Sequence, residues 1–177
     1  MLGRPSQSTV PAHKPQRQGP AIGSLPTGVV LPRLHLMHQL TTIIEISTRA
    51  PGLYEFTRDF NAFVAESRIR TGLVTAYCRH TSASLLIQEN ADGDVKTDLL
   101  EFFRRIAPEG MDWMVHRTEG PDDMPAHIRS ALTQTSIGVP VVDGKPALGT
   151  WQGIYLFEHR ARPHRRQVVL HLIGEPA

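Results

Sequence analysis

The chain has 177 residues, 40% apolar and 20% charged, with 19 Lys+Arg against 17 Asp+Glu and a formal net charge of +2. That size fits one domain with a substantial core. It holds no apolar run long enough for a transmembrane helix and no apolar signal-peptide core near its start, and its single cysteine, Cys78, excludes an intrachain disulfide. The positive balance comes from Arg4, Lys14, Arg17 and Arg33, with no acid before Glu45, and removing those four charges from +2 leaves −2. Composition therefore argues against general nucleic-acid or membrane binding, and the lone cysteine fits a reducing, cytoplasmic setting.

Residues 1–37 are expected to be a disordered tail or the product of a miscalled start, with Met37 the alternative start. Pro5, Pro11, Pro15, Pro20, Pro26 and Pro32 are separated there by small and polar residues. The folded domain is expected over 38–177. Gln39–Thr48 reads as a first strand rich in β-branched residues, broken by Ala50-Pro51-Gly52. The spacing of Phe56, Phe60, Phe63 and Val64 predicts a helix over 54–70, with Gly72 as its terminator. Leu73–Cys78 is a second strand, whose alternation places His80 on the side of Val74, Ala76 and Cys78. Small hydroxylated residues, Thr81, Ser82 and Ser84, lead into Leu85-Leu86-Ile87. A helix over 94–106 is expected to bury Val95, Leu99, Phe102, Phe103 and Ile106.

Beyond it, Trp113–His116 is a short apolar segment and 117–123 a polar loop. A helix then begins near Pro125, with Asp123 and His127 four apart and able to meet across its start. Ile137–Val142 is a strand, and Asp143-Gly144 signals a hairpin into Lys145–Leu148. A long strand opens at Gly149-Thr150-Trp151-Gln152-Gly153 and runs to His159, and a basic loop over 160–166 leads to a final strand over 167–173. This order predicts an α+β fold in one domain: antiparallel β-sheet or sandwich, with two longer helices and one short helix packed against it.

The polar residues that end or flank apolar segments are His80, Asn90, Asp92, His116, Glu119, Asp123, His127, Gln152, Glu158 and His159. Scaffolds position reactive groups at such junctions. His80, His116 and His127, with carboxylates nearby, could hold a divalent ion such as zinc or magnesium, or act as acid and base without metal. Their spacing matches no compact metal motif, and no Walker A loop, Rossmann glycine pattern or nucleophile elbow is present. The arginines of the 160–166 loop are candidates for a phosphate or pyrophosphate, or for a solvated hairpin end.

Four blocks then carry a family resemblance: His80–Ser84, Glu89–Asp92, Glu119–Ile128, and Gly149–Ile154 through Glu158-His159-Arg160. With Ser136, Val139, Val141 and Gly144, they make the chain resemble the YjbQ-type, or secondary thiamine-phosphate synthase, family over about residues 40–175. The resemblance implies a compact α+β homotrimer with polar pockets near subunit boundaries. It also implies a weak transferase activity joining hydroxymethylpyrimidine diphosphate to thiazole phosphate. The candidate site is then His80, Asn90, Asp92, His116, Glu119, Asp123, His127, Gln152 and Glu158, acting on a small phosphorylated metabolite. A metal- or phosphate-binding trimeric module and a hydrolase of such a metabolite are the competing readings.

Overall fold

The structure, a computed structural model, describes residues 36–176. The expected tail and alternative start, apart from Leu36 and Met37, lie outside these residues. The described elements run β1 (His38–Thr48), β2 (Gly52–Glu55), α1 (Thr57–Ser67), β3 (Ile69–Cys78), β4 (Ala83–Glu89), α2 (Gly93–Ile106), α3 (Asp123–Leu132), β5 (Ser136–Val142), β6 (Lys145–Pro146), β7 (Gln152–Glu158) and β8 (His164–Pro176). Five strands form one sheet in the order β1-β8-β3-β5-β6, and three form a second in the order β2-β7-β4. Every pairing is antiparallel. This is the α+β architecture expected from the element order. No helix among the described residues is long and apolar enough to cross a membrane.

The core follows from strand alternation. Val74, Ala76 and Cys78 of β3, Ile137, Val139 and Val141 of β5, and Val168, Leu170 and Leu172 of β8 share one face of the large sheet. They pack with Ala83, Leu85, Ile154 and Leu156 of the small sheet and with Phe60 and Val64 of α1. Each large apolar side chain removed from water here contributes roughly 1.5–3 kcal/mol. β7 is buried on both faces. Its Phe157 meets Phe103 of α2 edge-on at 5.1 Å, and Lys96 of α2 lies 4.8 Å from the Tyr155 ring. The order of layers is therefore large sheet, small sheet, α2.

Several elements differ from the expectations. The helix expected over 54–70 gives its first turn to β2, which pairs with β7, and it ends at Arg68, whose left-handed φ of 56° closes it. Gly72 is no terminator but lies inside β3, opposite Gly174 of β8. A Cβ on Gly72 would collide with the Ile173 carbonyl, and one on Gly174 with the Thr71 carbonyl, so this close crossing of strands requires both glycines. In α2, Phe102 and Ile106 are exposed and no residue is fully buried. Gly149-Thr150-Trp151 forms a turn before β7 instead of its first residues, closed by Gln152 N–H donating to Gly149 O at 3.0 Å, and Trp151 is exposed.

Candidate metal and anion site

α3 begins at Asp123, so Asp123 and His127 lie one turn apart on one face. The Asp123 Oδ2 sits 3.5 Å from His127 Nε2 and 2.6 Å from Nε2 of His116, which the preceding loop delivers. These three residues bring one possible ligand atom each to within 4.8 Å of the others. Asp123 is buried, whereas both imidazoles are part-exposed, so the group opens outward.

Hydrogen bonds fix the chemistry of each member. The His127 Nδ1 lies 3.0 Å from the Thr81 carbonyl, which can only accept, so Nδ1 carries a proton and Nε2 is the ring nitrogen turned toward Asp123. The Nε2–H of His116 donates to Asp123 Oδ2. The other Asp123 oxygen, Oδ1, accepts from Arg160 Nη1, and Arg160 Nε donates to Asp122 Oδ2 at 3.0 Å while its Nη2 donates to Glu119 O at 2.8 Å. Burial alone would raise the Asp122 carboxyl, but the Ala161 N–H and the Arg160 guanidinium bring it below its ordinary value. Arg160 thus clamps the loop and helix start that carry the group. Glu119 stands at the rim, its side chain mostly exposed and 3.8 Å from Arg160.

His80 lies outside this trio. Its Nε2 accepts the Gln167 N–H at 2.8 Å, which occupies the lone pair a metal would need. Burial, and then the Arg166 guanidinium, lower its pKa, so the ring is neutral near pH 7 and its remaining proton sits on Nδ1. His80 and His127 nevertheless line one cavity of about 550 Å³, together with Tyr77, Arg79, Thr81 and Ser130. Cys78 also borders it, but the thiol is buried and its pKa is raised by that burial.

The remaining sequence candidates go elsewhere. The β4–β7 ladder runs from Ala83 opposite Glu158 to Glu89 opposite Gln152. At about 3.3 Å per residue its two ends stand roughly 20 Å apart. Asn90, Asp92 and Gln152 belong to the far end. Asn90 Nδ2 contacts Glu55 at 3.5 Å, Asp92 caps α2 by accepting from Asp94 N–H, and Gln152 Oε1 accepts from Gly149 N–H. Glu158 is at the near end but fully buried. It accepts from Arg166, from Thr48 Oγ1 and from the backbone N–H groups of His159 and Arg160. Burial alone would raise its carboxyl, but Arg166, the Arg160 N–H and the Thr48 hydroxyl hold it below the usual value. Its oxygens are occupied in holding the fold.

Sequence reasoning placed Arg160 and Arg166 in a basic loop open to phosphate. Both are buried partners of carboxylates instead. For Arg166 the signal was present: it shares the alternation of Val168, Leu170 and Leu172, which turn inward.

Residues 42–175 match the family described as UPF0047 protein YjbQ-like. The chain is 55% identical over 133 residues to a UPF0047 protein of Synechocystis sp., a match covering 75% of this chain and 90% of the relative. It is 38% identical over 133 residues to the UPF0047 protein YjbQ of Escherichia coli O157:H7, covering 75% and 96%. Among solved structures, a YjbQ/UPF0047 family protein of Clostridium acetobutylicum shares 33% identity with a TM-score of 0.65, covering 73% of this chain and 98% of that one. A hypothetical protein of Aeropyrum pernix K1 shares 28% with a TM-score of 0.70, covering 77% and 99%. With matching sequence over nearly all of the described domain and the same fold in these neighbours, the chain belongs to the YjbQ-like UPF0047 family.

Proposed function

We propose that His116, Asp123 and His127 hold a divalent cation and that the adjoining cavity takes a small phosphorylated metabolite. The observation that carries this reading is the convergence of His116, Asp123 and His127, each of which brings a possible ligand atom to within 4.8 Å of the others. The donor set of two imidazoles and one carboxylate fits a zinc site with an open position, and imidazole ligation favours zinc over magnesium. When bound, such an ion would polarise a phosphoryl oxygen or acidify a water.

The chain's own residues supply the rest. Thr81 O sets the His127 tautomer, and Arg160 anchors Asp123, both outer-shell roles that tune a ligand. Neutral His80 keeps an Nδ1–H as a hydrogen-bond donor beside the cavity. Arg79 also lines the cavity, and among the described residues its guanidinium bonds only the neutral Gln167 side chain, at 3.2 Å. It is the guanidinium left for phosphate oxygens, because Arg160 and Arg166 are engaged by buried acids.

Within this class, the transfer the family resemblance implies is the leading reaction. The bond from the pyrimidine methylene carbon to the diphosphate oxygen breaks, the thiazole nitrogen forms a new bond to that carbon, and pyrophosphate leaves with the electron pair. Arg79 would stabilise the departing charge, and an enclosed cavity would keep water from the cationic carbon. Hydrolysis of a small phosphorylated metabolite would use the same groups. The homotrimer is part of the proposal. The outer face of the large sheet exposes Ile43, Leu73, Tyr77 and Val142, and Tyr77 and Arg79 on that face border the cavity, so a neighbouring copy would wall it in.

The test begins with metal analysis of untagged protein after zinc reconstitution. One equivalent is expected, lost in Asp123→Asn and His116→Ala variants that keep the wild-type circular dichroism. Formation of thiamine phosphate from its two phosphorylated precursors is then compared with His127→Ala. Absence of bound metal sinks the cation site, and equal turnover in the variant sinks the catalytic assignment. Stoichiometric metal with no substrate consumed identifies a binding module instead.

A further inference from the structure

We propose that a second cavity, between α2 and the end of β7, binds a small ligand with a carboxylate or phosphate group on a flat apolar body. This cavity, of about 380 Å³, shares no lining residue with the one beside His127. Pro51, Leu100, Phe103 and Phe157 give it apolar walls, and His159 and Arg129 are among its other lining residues. Its size falls within the range of small-molecule sites.

The inference rests on two sets of donors that lack acceptors. His159 is 1% exposed, and its Nε2 lies 2.9 Å from Ser84 Oγ, which is itself fully buried. The His159 Nδ1 is buried without a hydrogen-bond partner among the described residues. The serine hydroxyl has no other acceptor among the described residues, so it donates to Nε2, which leaves the proton of the neutral ring on Nδ1. The opposite tautomer would strand both the hydroxyl proton and the Nδ1 lone pair. Burial, and then the charge of Arg129, keep the ring neutral. A buried N–H aimed at no acceptor is rare in folded proteins and asks for an explanation.

Arg129 supplies the second set. It is 8% exposed, yet no carboxylate lies within ion-pair distance of it among the described residues. Its Nε donates to Phe103 O at 3.3 Å and its Nη2 to Ala107 O at 2.8 Å, which caps the end of α2. Those bonds account for two of its five N–H groups. Three acids also line the cavity: Glu101 is held by Arg104 and Arg105, Glu158 by Arg166, and Glu109, whose charge acts on Arg129, is exposed. A buried guanidinium and a buried imidazole N–H on one cavity lack an anionic oxygen, and the aromatic walls of Phe103 and Phe157 suit a flat ring behind it.

The test is a titration of the full-length protein with sodium benzoate, phenyl phosphate and inorganic phosphate, read from the His159 ring signals by NMR. Saturable shifts are expected with benzoate or phenyl phosphate, and the stronger of the two assigns the carboxylate or the phosphate head. Inorganic phosphate, which lacks the apolar body, should bind at least tenfold more weakly. Arg129→Met and His159→Phe should each weaken the better probe at least tenfold, followed in the second variant by the Phe157 signals. His159→Phe keeps a flat ring at this position and decides alone if Arg129→Met does not fold. No saturable shift with any probe, wild-type affinity in the folded variants, or inorganic phosphate binding as tightly as phenyl phosphate each overturn the proposal.

Discussion

Exchange of His159 for glutamine removes an imidazole that the fold keeps neutral, and so changes how stability responds to acid. Burial, and then the Arg129 guanidinium, push the His159 pKa from 6.5 down to about 3. Between those values the unfolded chain carries a proton that the folded chain refuses. Stability is therefore complete above the unfolded pKa and declines as pH falls from there towards the folded one. Near pH 5 the loss is about 1.5 pH intervals at 1.36 kcal/mol each, or about 2 kcal/mol relative to neutral pH. With a urea m-value of roughly 2 kcal/mol/M, the wild-type midpoint should drop by about 1 M more than that of His159→Gln between pH 7.5 and 5. Measuring both proteins at both pH values cancels the titration of every other group. If the difference between the two midpoints does not change with pH, His159 is not held neutral and the reasoning fails.

Arg160→Leu leaves Asp122 and Asp123 without their guanidinium. It should cost roughly 3–5 kcal/mol by thermal or urea unfolding and lower zinc affinity on the order of 10–100-fold by competition with a chelator. Gly174→Ala drives a methyl group into the Thr71 carbonyl and should cost at least about 1–3 kcal/mol, read from the same denaturation curves. A comparable loss is not expected at Gly93, where an added Cβ meets nothing within 4 Å. Cys78 should ignore a thiol reagent at pH 8 until the protein unfolds, because the thiol is buried and its pKa raised. Rapid labelling under native conditions would contradict that.

The fold class was legible because strand alternation and the Asp-Gly turn are local signals. Asp143 and Gly144 do take the positive φ values, 49° and 77°, of a tight hairpin. The Asp123–His127 pairing was legible for the same reason, since four residues make one helical turn. What sequence could not supply was distance along a strand. Glu158 and Gln152 end the same strand, and seven residues of extended chain carry one to the candidate site and the other far from it. Nor could residue type reveal that Arg160 reaches back 37 residues to Asp123, or that Arg166 closes on Glu158. Such pairs arise from the packing of β7 and β8 ends, and only the inward parity of Arg166 hinted at one of them. His80 read as a ligand because its neighbours were polar, but a backbone N–H of β8 claims its lone pair.

The placement of β8 has a consequence for biogenesis. Among the described residues β1 bonds to no strand other than β8, and β8 also separates β1 from β3. The ribosome makes one near residue 38 and the other near residue 176, so the sheet cannot zip up from its beginning. Until β8 has been made, β1 and the edge of β3 offer bare amide ladders to any passing chain. Such sequence-distant closure makes for slow maturation and a window in which holdase chaperones would be useful company.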